Sequence, residues 1–279
     1  MHKIYASPPV GRTRKLRVIT EEPAHDPDPP RLAGRAPSRR LARDVTQAQT
    51  AGGTLRVGMT ASAVPLSNGV PDQGAEGHRF MGITLYDQLA MWDLTKSDVP
   101  VTIRPGLATA WRLIDAQTWE FDLRPDVRFH DGTPVTARDF EYGARRLLAP
   151  RLGASHAEAN LFFVRGARDY QAGRVKDFAT VGVKATDERT VVFTLARPTP
   201  FFLSALYLFF PVPQATVEKF AAMDDRVNNW IRPGNLVGNG PFRLKSWRQS
   251  QGLVVEKNSR YWDAARVRLK EIHFLPIEN

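Results

Sequence analysis

Residues 119–150, WEFDLRPDVRFHDGTPVTARDFEYGARRLLAP, decide the fold of the chain around them. Apolar and polar residues alternate over 119–123 and 127–129, which is the period of half-buried strands. The turn residues Arg124-Pro125-Asp126 between these two runs predict a hairpin. Thr136 and Asp139 approximate a capping box and Pro150 is a stop signal, so we predict a helix between them.

Two faces of this predicted helix differ in chemistry. One face is an apolar stripe that should pack against a core, made by Phe140, Ala144, Leu147 and Leu148. Tyr142 lies about 200° around the helix from Phe140. Its helical neighbours there are Arg138, Arg145 and Arg146. Two interpretations fit an aromatic hydroxyl off the packing stripe: a ligand contact, or an exposed tyrosine on a solvated face.

Bulk composition limits the classes of function. The 279 residues suit one large or two modest domains. The absence of cysteine excludes disulfides, thiol catalysis and thiolate metal sites. Half of the net charge of +10 falls in residues 1–50, so the remainder is only mildly basic. Without a basic stripe or a recognisable binding module, we expect no nucleic-acid partner.

Residues 1–50 are rich in proline and arginine and contain no apolar run. Such a composition cannot bury enough surface to order itself, so we predict a disordered basic extension. The segment has a positive region but lacks the apolar stretch of a signal peptide, so no signal peptide is recognised here.

The rest of the chain predicts an α+β fold with mixed strands and no internal repeat. Predicted strands cover 55–59, 181–185, 191–195, 242–247, 253–257 and 269–277, with 181–185 and 191–195 forming a second hairpin. Predicted helices cover 80–89, 105–111, 201–210 and 214–222. The apolar helix at 201–210 should be buried, because it is too short to cross a bilayer.

His130-Asp131 is an adjacent histidine–carboxylate pair that invites a catalytic interpretation. No serine elbow and no second histidine at ligand spacing accompanies it, so a structural turn is favoured over an enzyme. The other histidines are scattered, and the glycine clusters lack the pattern of a phosphate loop. We therefore predict no catalytic residue, no metal site and no cofactor.

Four stretches carry a resemblance to a known family. They are LATAWRLIDAQTWEFDLRPDVRFHDGTPVTARDFEY (107–142), VGVKATDERTVVFTLARPTPFF (181–202), PVPQATVEKF (211–220) and NLVGNGPFRLKSW (235–247), the last continued by VVEKNSRYWD (254–263). In content, order and spacing they resemble the periplasmic solute-binding proteins of peptide ABC transporters, family 5, and most of all the oligopeptide-binding branch. The resemblance runs from about Gly52 to the end of the chain.

The resemblance implies a two-lobed clamp of roughly twice this length. Residues 51–86 and 187–279 would form the first lobe, of mixed β-sheet and helices, and 87–186 a smaller inserted α/β domain. The chain stops about where the family crosses into its second lobe. We therefore expect a truncated clamp with weakened binding.

The resemblance also implies a function and a site. An oligopeptide would lie in the cleft between the lobes, for delivery to an ABC permease in the inner membrane. Tyr142 sits where the family places a cleft tyrosine, and Gly74, Ala75 and Glu76 correspond to a loop that pairs with the peptide backbone. Asn239, near the lobe crossover, is a further candidate. A periplasmic monomer is implied.

Three alternatives remain open at this point. The cargo could be a dipeptide, a nickel chelate or another small solute. The chain could be an inert truncated product. It could also be an enzyme that uses His130 and Asp131.

Overall fold

The structure, a computed structural model, describes residues 52–59, 82–93, 95, 98, 100–154, 157–206, 209–226, 228–248 and 251–276. All of them belong to one compact unit, residues 48–279. The predicted extension at 1–50 lies outside the described residues, and so do Gly74, Ala75 and Glu76.

Strands and short helices alternate along the described chain. The strands are β1 Thr54–Met59, β2 Ala90–Asp93, β3 Thr102–Pro105, β4 Ala108–Asp115, β5 Thr118–Leu123, β6 Val183–Ala185, β7 Thr190–Thr194, β8 Phe242–Arg248, β9 Gly252–Lys257 and β10 Glu271–Pro276. The helices are α1 Ile83–Leu85, α2 Ala137–Leu147, α3 Ala157–Leu161, α4 Ala167–Gln171, α5 Phe202–Ala205 and α6 Gln214–Phe220. Single 3-10 turns occur at Phe178–Thr180, Asn229–Ile231 and Ala264–Arg266. None of the helices in these ranges is long and apolar enough to cross a membrane.

The first sheet has the strand order β1-β10-β9-β8, with β1 parallel to β10 and the other pairs antiparallel. Its inner face is apolar, and its outer face carries cross-strand pairs such as Arg243–Glu256 at 2.8 Å. This alternation is the period of 2 on which the strand predictions rested. Strands β1, β8, β9 and β10 confirm those predictions, and the α+β class is confirmed with them.

The second sheet has the antiparallel order β4-β5-β7-β6. The predicted pairing of β6 with β7 is confirmed, whereas the predicted hairpin of 119–123 with 127–129 is wrong. β5 pairs with β4 and β7 instead, and Arg128 makes only an isolated bridge to Pro134. Val127 and Phe129 alternate because their side chains enter the core, not because they join a ladder.

Three predicted helices differ from those observed. Of the helix predicted at 80–89, only Ile83–Leu85 is α-helical among the described residues. Residues 105–111 contain the start of β4, so the helix predicted there is wrong. Within 201–210, only Phe202–Ala205 is helical among the described residues. The helix predicted at 214–222 is confirmed as α6.

Two apolar cores meet at α2. Phe140, Ala144, Leu147 and Leu148 pack into the core beneath the second sheet, as predicted. On its other side, the same helix contributes Tyr142 to the core beneath the first sheet. α2 is therefore buried on two faces and positions side chains between the two sheets.

The predicted domain boundaries remain a prediction. A boundary between residues 186 and 187 would separate β6 from β7, which are hydrogen-bonded neighbours. The sheet therefore favours a boundary after β7.

Candidate functional site

A cleft of about 510 Å³ opens along α2. Arg138, Glu141, Tyr142 and Arg145 line one wall, and their spacing of i, i+3, i+4 and i+7 makes a single helical stripe. Residues 176–179, Lys184 and Ala185 line the opposite wall, and Gln214 at the start of α6 borders both. The volume lies in the usual range for small-molecule sites, which is about 300–1,000 Å³.

The helix that carries this stripe begins where the sequence predicts it. The Asp139 carboxylate accepts hydrogen bonds from the Thr136 backbone N–H at 2.7 Å and from the Thr136 hydroxyl at 2.9 Å. Farther along, the Glu141 carboxylate accepts from the Ala185 backbone N–H at 2.9 Å. That bond joins α2 to β6, and so connects the two walls of the cleft.

Tyr142 lies in the cleft wall but is not the exposed residue that phase counting suggested. It is 6% exposed and packs in the core beneath the first sheet. The prediction that it lies off the packing faces is wrong, because α2 has a core on both sides. Tyr142 lines the cleft, while its hydroxyl is buried and makes no well-formed hydrogen bond within the described residues, although the Glu218 carboxylate lies nearby. Burial raises the pKa of Tyr142, and the nearby charge of Glu218 raises it further.

The three arginines predicted to surround Tyr142 separate in the structure. Arg138 and Arg145 line the cleft with exposed side chains. Arg146 is 1% exposed, donates to the Met223 carbonyl and lies 5.6 Å from the Trp230 ring. The arginine cluster is thus two cleft residues and one core residue.

Sequence reasoning missed the opposite wall. Lys176 and Lys184 are exposed there, and Phe178 is half-buried against Tyr170. No local motif marks these residues as neighbours of α2. Only the long-range packing of α2 on β6 and β7 brings them together.

Asn239 lies in a separate, buried polar group. It is 1% exposed, and its Oδ1 accepts from the Asp87 backbone N–H at 3.1 Å. Asp87 is also buried, and its carboxylate accepts from the Tyr261 hydroxyl and the Trp262 indole N–H, both at 2.7 Å. Burial raises the pKa of Asp87, although these two hydrogen bonds oppose the rise. Asn239 is not among the residues that line the cleft.

His130 makes hydrogen bonds to the loop at 238–240, which contains Asn239. Its backbone N–H donates to the Gly238 carbonyl at 2.7 Å, and its Nδ1 accepts from the Gly238 N–H at 3.1 Å. A neutral imidazole that accepts at Nδ1 carries its proton at Nε2, which lies 3.3 Å from the Gly240 carbonyl. Burial lowers the pKa of His130 to about 4. Asp131 accepts from the Thr133 backbone and hydroxyl, which is turn geometry.

Metal-ligating residues do not converge in the described ranges. No group of three or more His, Asp or Glu side chains there could hold a metal ion.

Comparisons with known proteins give a consistent result. Residues 102–279 match the model of the bacterial extracellular solute-binding proteins, family 5 Middle. The chain is 34% identical to the periplasmic oligopeptide-binding protein OppA of Salmonella typhimurium over 214 residues, which are 76% of this chain and 36% of that protein. It is 39% identical to the periplasmic murein peptide-binding protein MppA of Escherichia coli over 178 residues, 63% of this chain and 32% of that protein.

Comparison with solved structures agrees with the sequence relatives. The structure of Haemophilus influenzae OppA in complex with RPPGFSPFR superimposes with a TM-score of 0.70 and 29% identity, covering 82% of this chain and 43% of that one. These relatives are solute-binding transport proteins rather than enzymes. The chain spans less than half of the length of the relatives it matches.

Proposed function

Because this chain belongs to the family 5 bacterial extracellular solute-binding proteins, we propose that it is the solute-binding component of an ABC transporter and binds oligopeptides. The observation that carries the proposal is the sequence identity to oligopeptide-binding OppA over three quarters of the chain. The cleft along α2 supports it, because it offers a concave wall with an aromatic ring and several hydrogen-bond donors.

In this proposal the peptide lies against the Tyr142 wall, and the ring of Tyr142 packs on it. Gly74, Ala75 and Glu76 pair with the peptide backbone, which is how extended peptides gain affinity without sequence specificity. Asn239 has a positioning role, because its buried amide holds the backbone of Asp87.

The proposed partners follow from the relatives. The peptide is delivered to an ABC permease from the periplasm, where the OppA relatives reside. The protein acts as a monomer and binds no nucleic acid. It performs no catalysis, and the engagement of both His130 nitrogens supports this, since a general base needs a free nitrogen.

Titration calorimetry with peptides of two to five residues tests the proposal. Saturable binding of tri- to pentapeptides at one site is expected. We expect the 279 residues to bind more weakly than a relative of full length, because they span less than half of such a protein. Binding of dipeptides alone would change the cargo, and no binding of any peptide would overturn the function.

A further inference from the structure

The cleft along α2 is strongly cationic. Arg138 and Arg145 extend from one wall, and Lys176 and Lys184 extend from the other. All four side chains are exposed, and none of them forms an ion pair within the part of the chain that the structure describes. Elsewhere on the surface, basic residues such as Arg112, Arg174 and Arg243 do have carboxylate partners.

The two carboxylates of the cleft do not neutralise these cations. Glu141 already accepts from the Ala185 N–H, and Asp177 accepts from the Ala179 N–H at 2.9 Å. Each therefore interacts with a backbone dipole rather than with an arginine or lysine. Glu218 lies near Tyr142 and accepts from the Gln214 amide at the border of the cleft, so it adds a third carboxylate. Four cations against three carboxylates still leave an excess of positive charge facing the cavity.

We propose that this cleft binds the side-chain carboxylate of an acidic residue in the peptide, so that the protein prefers acidic peptides. The inference rests on the proposed function and gives it a substrate class. Arginine presents a planar fork that matches a carboxylate in a bidentate pair. Tyr142 on one wall and Phe178 and Ala185 on the other offer apolar surface on which the methylene groups of a glutamate side chain can pack.

The expected preference is moderate. Each ion pair in an open, hydrated cleft adds little by itself, and salt screens it. Because cations from two walls face the same cavity, we expect a peptide with glutamate to bind roughly tenfold more tightly than its glutamine counterpart at low ionic strength. The ratio should shrink at 0.15 M salt, where the screening length is about 8 Å.

The test compares Ala-Ala-Glu-Ala with Ala-Ala-Gln-Ala by calorimetry at 10 mM and 150 mM salt. It uses the 279-residue protein, the double variant Arg138→Gln/Arg145→Gln and a control double variant, Arg197→Gln/Lys270→Gln. The control removes the same charge from two exposed residues that do not line the cleft. Glutarate serves as a carboxylate without a peptide backbone.

The glutamate preference should fall from roughly tenfold to about threefold in Arg138→Gln/Arg145→Gln, where Lys176 and Lys184 remain, and should be unchanged in the control. Equal affinity of the two peptides for the unsubstituted protein overturns this inference but leaves oligopeptide binding intact. A preference that is undiminished in Arg138→Gln/Arg145→Gln, or is reduced equally in the control, also overturns it. Glutarate that binds as tightly as the acidic peptide overturns the assignment to a peptide side chain. If no peptide binds, both the function and this inference fail.

Discussion

The imidazole of His130 connects the end of the 119–130 segment with the loop at 238–240. Its pKa is lowered to about 4, mainly by burial, and the charge of Arg243 lowers it further. The unfolded chain keeps the ordinary value of about 6.5. Between these values the unfolded state binds the proton more strongly, so the stabilising effect of neutral His130 is complete above pH 6.5 and is lost as the pH falls towards 4.

We therefore predict that the free energy of unfolding falls by about 3 kcal/mol between pH 7 and pH 4 because of His130 alone. His130→Asn offers an Oδ1 acceptor to the Gly238 N–H but does not titrate. Urea unfolding at a series of pH values should show a shallower slope for His130→Asn than for the unsubstituted protein. Identical slopes for His130→Asn and the unsubstituted protein would contradict the assignment.

Tyr142 combines a buried ring with a buried hydroxyl that makes no well-formed hydrogen bond among the described residues, although the Glu218 carboxylate lies nearby. Tyr142→Phe removes that hydroxyl without changing the shape of the ring, so we predict a change in unfolding free energy below about 0.5 kcal/mol or a slight gain. Tyr142→Ala empties part of the core and should cost about 3–4 kcal/mol. Thermal unfolding of both variants checks this, and a large loss in Tyr142→Phe would show that the hydroxyl has a partner. Peptide binding should also be unchanged in Tyr142→Phe, since the ring that is proposed to pack on the peptide is kept.

Among the secondary structure elements, α2 was the most predictable. Its cap, its stop and its Phe140 stripe are local signals, and all three appear in the structure. The burial of Tyr142 and Arg146 was not predictable, because a single helix does not reveal that a second core covers its other side. Only one wall of the cleft could be predicted from the sequence, for the same reason. Arg138 and Arg145 lie on α2, whereas Lys184 lies on a strand that is brought opposite α2 only by the tertiary fold.

The pairing of strands is a second feature that could not be predicted from the sequence. The alternation of β5 was recognised, but its true neighbour β4 is exposed along most of its length and so lacks a clear apolar period. The apolar residues Val127 and Phe129 have the stronger local pattern, which predicts a partner strand at 127–129. Burial alone produces such a pattern without any ladder, so pairing cannot be read from periodicity.

Asp87 joins three parts of the chain: its buried carboxylate accepts from Tyr261 and Trp262, and its backbone N–H donates to Asn239. Asp87→Asn keeps the shape but turns one acceptor oxygen into an NH₂ group that faces the Tyr261 and Trp262 donors. We predict a loss of about 2–4 kcal/mol, because at least one buried donor loses its acceptor. Asp131→Asn, in an exposed turn, is the matched control and should cost under about 1 kcal/mol. Equal and small losses in both variants would mean that the Asp87 network adds little to stability.

At the scale of the molecule, two cores lie beneath two separate sheets. Phe121 is fully buried in one core and Leu253 is 1% exposed in the other. The two cores are connected physically, since α2 packs into both and the segment 82–93 contacts both through Leu89 and Leu85. These shared elements argue that the sheets cannot unfold independently, although the proposed domain boundaries divide them.

We predict that the two sheets unfold in one cooperative transition. Phe121→Ala and Leu253→Ala should each lower the unfolding free energy by about 3 kcal/mol, because each leaves a cavity in a packed core. Hydrogen exchange followed by mass spectrometry should then show the same loss of protection in peptides from both sheets, whichever core carries the substitution. Leu113→Ala, at a side chain that is 51% exposed, should leave both sheets unchanged. Loss of protection confined to the sheet that carries the substitution would show two independent units instead, and would place the domain boundary between the cores.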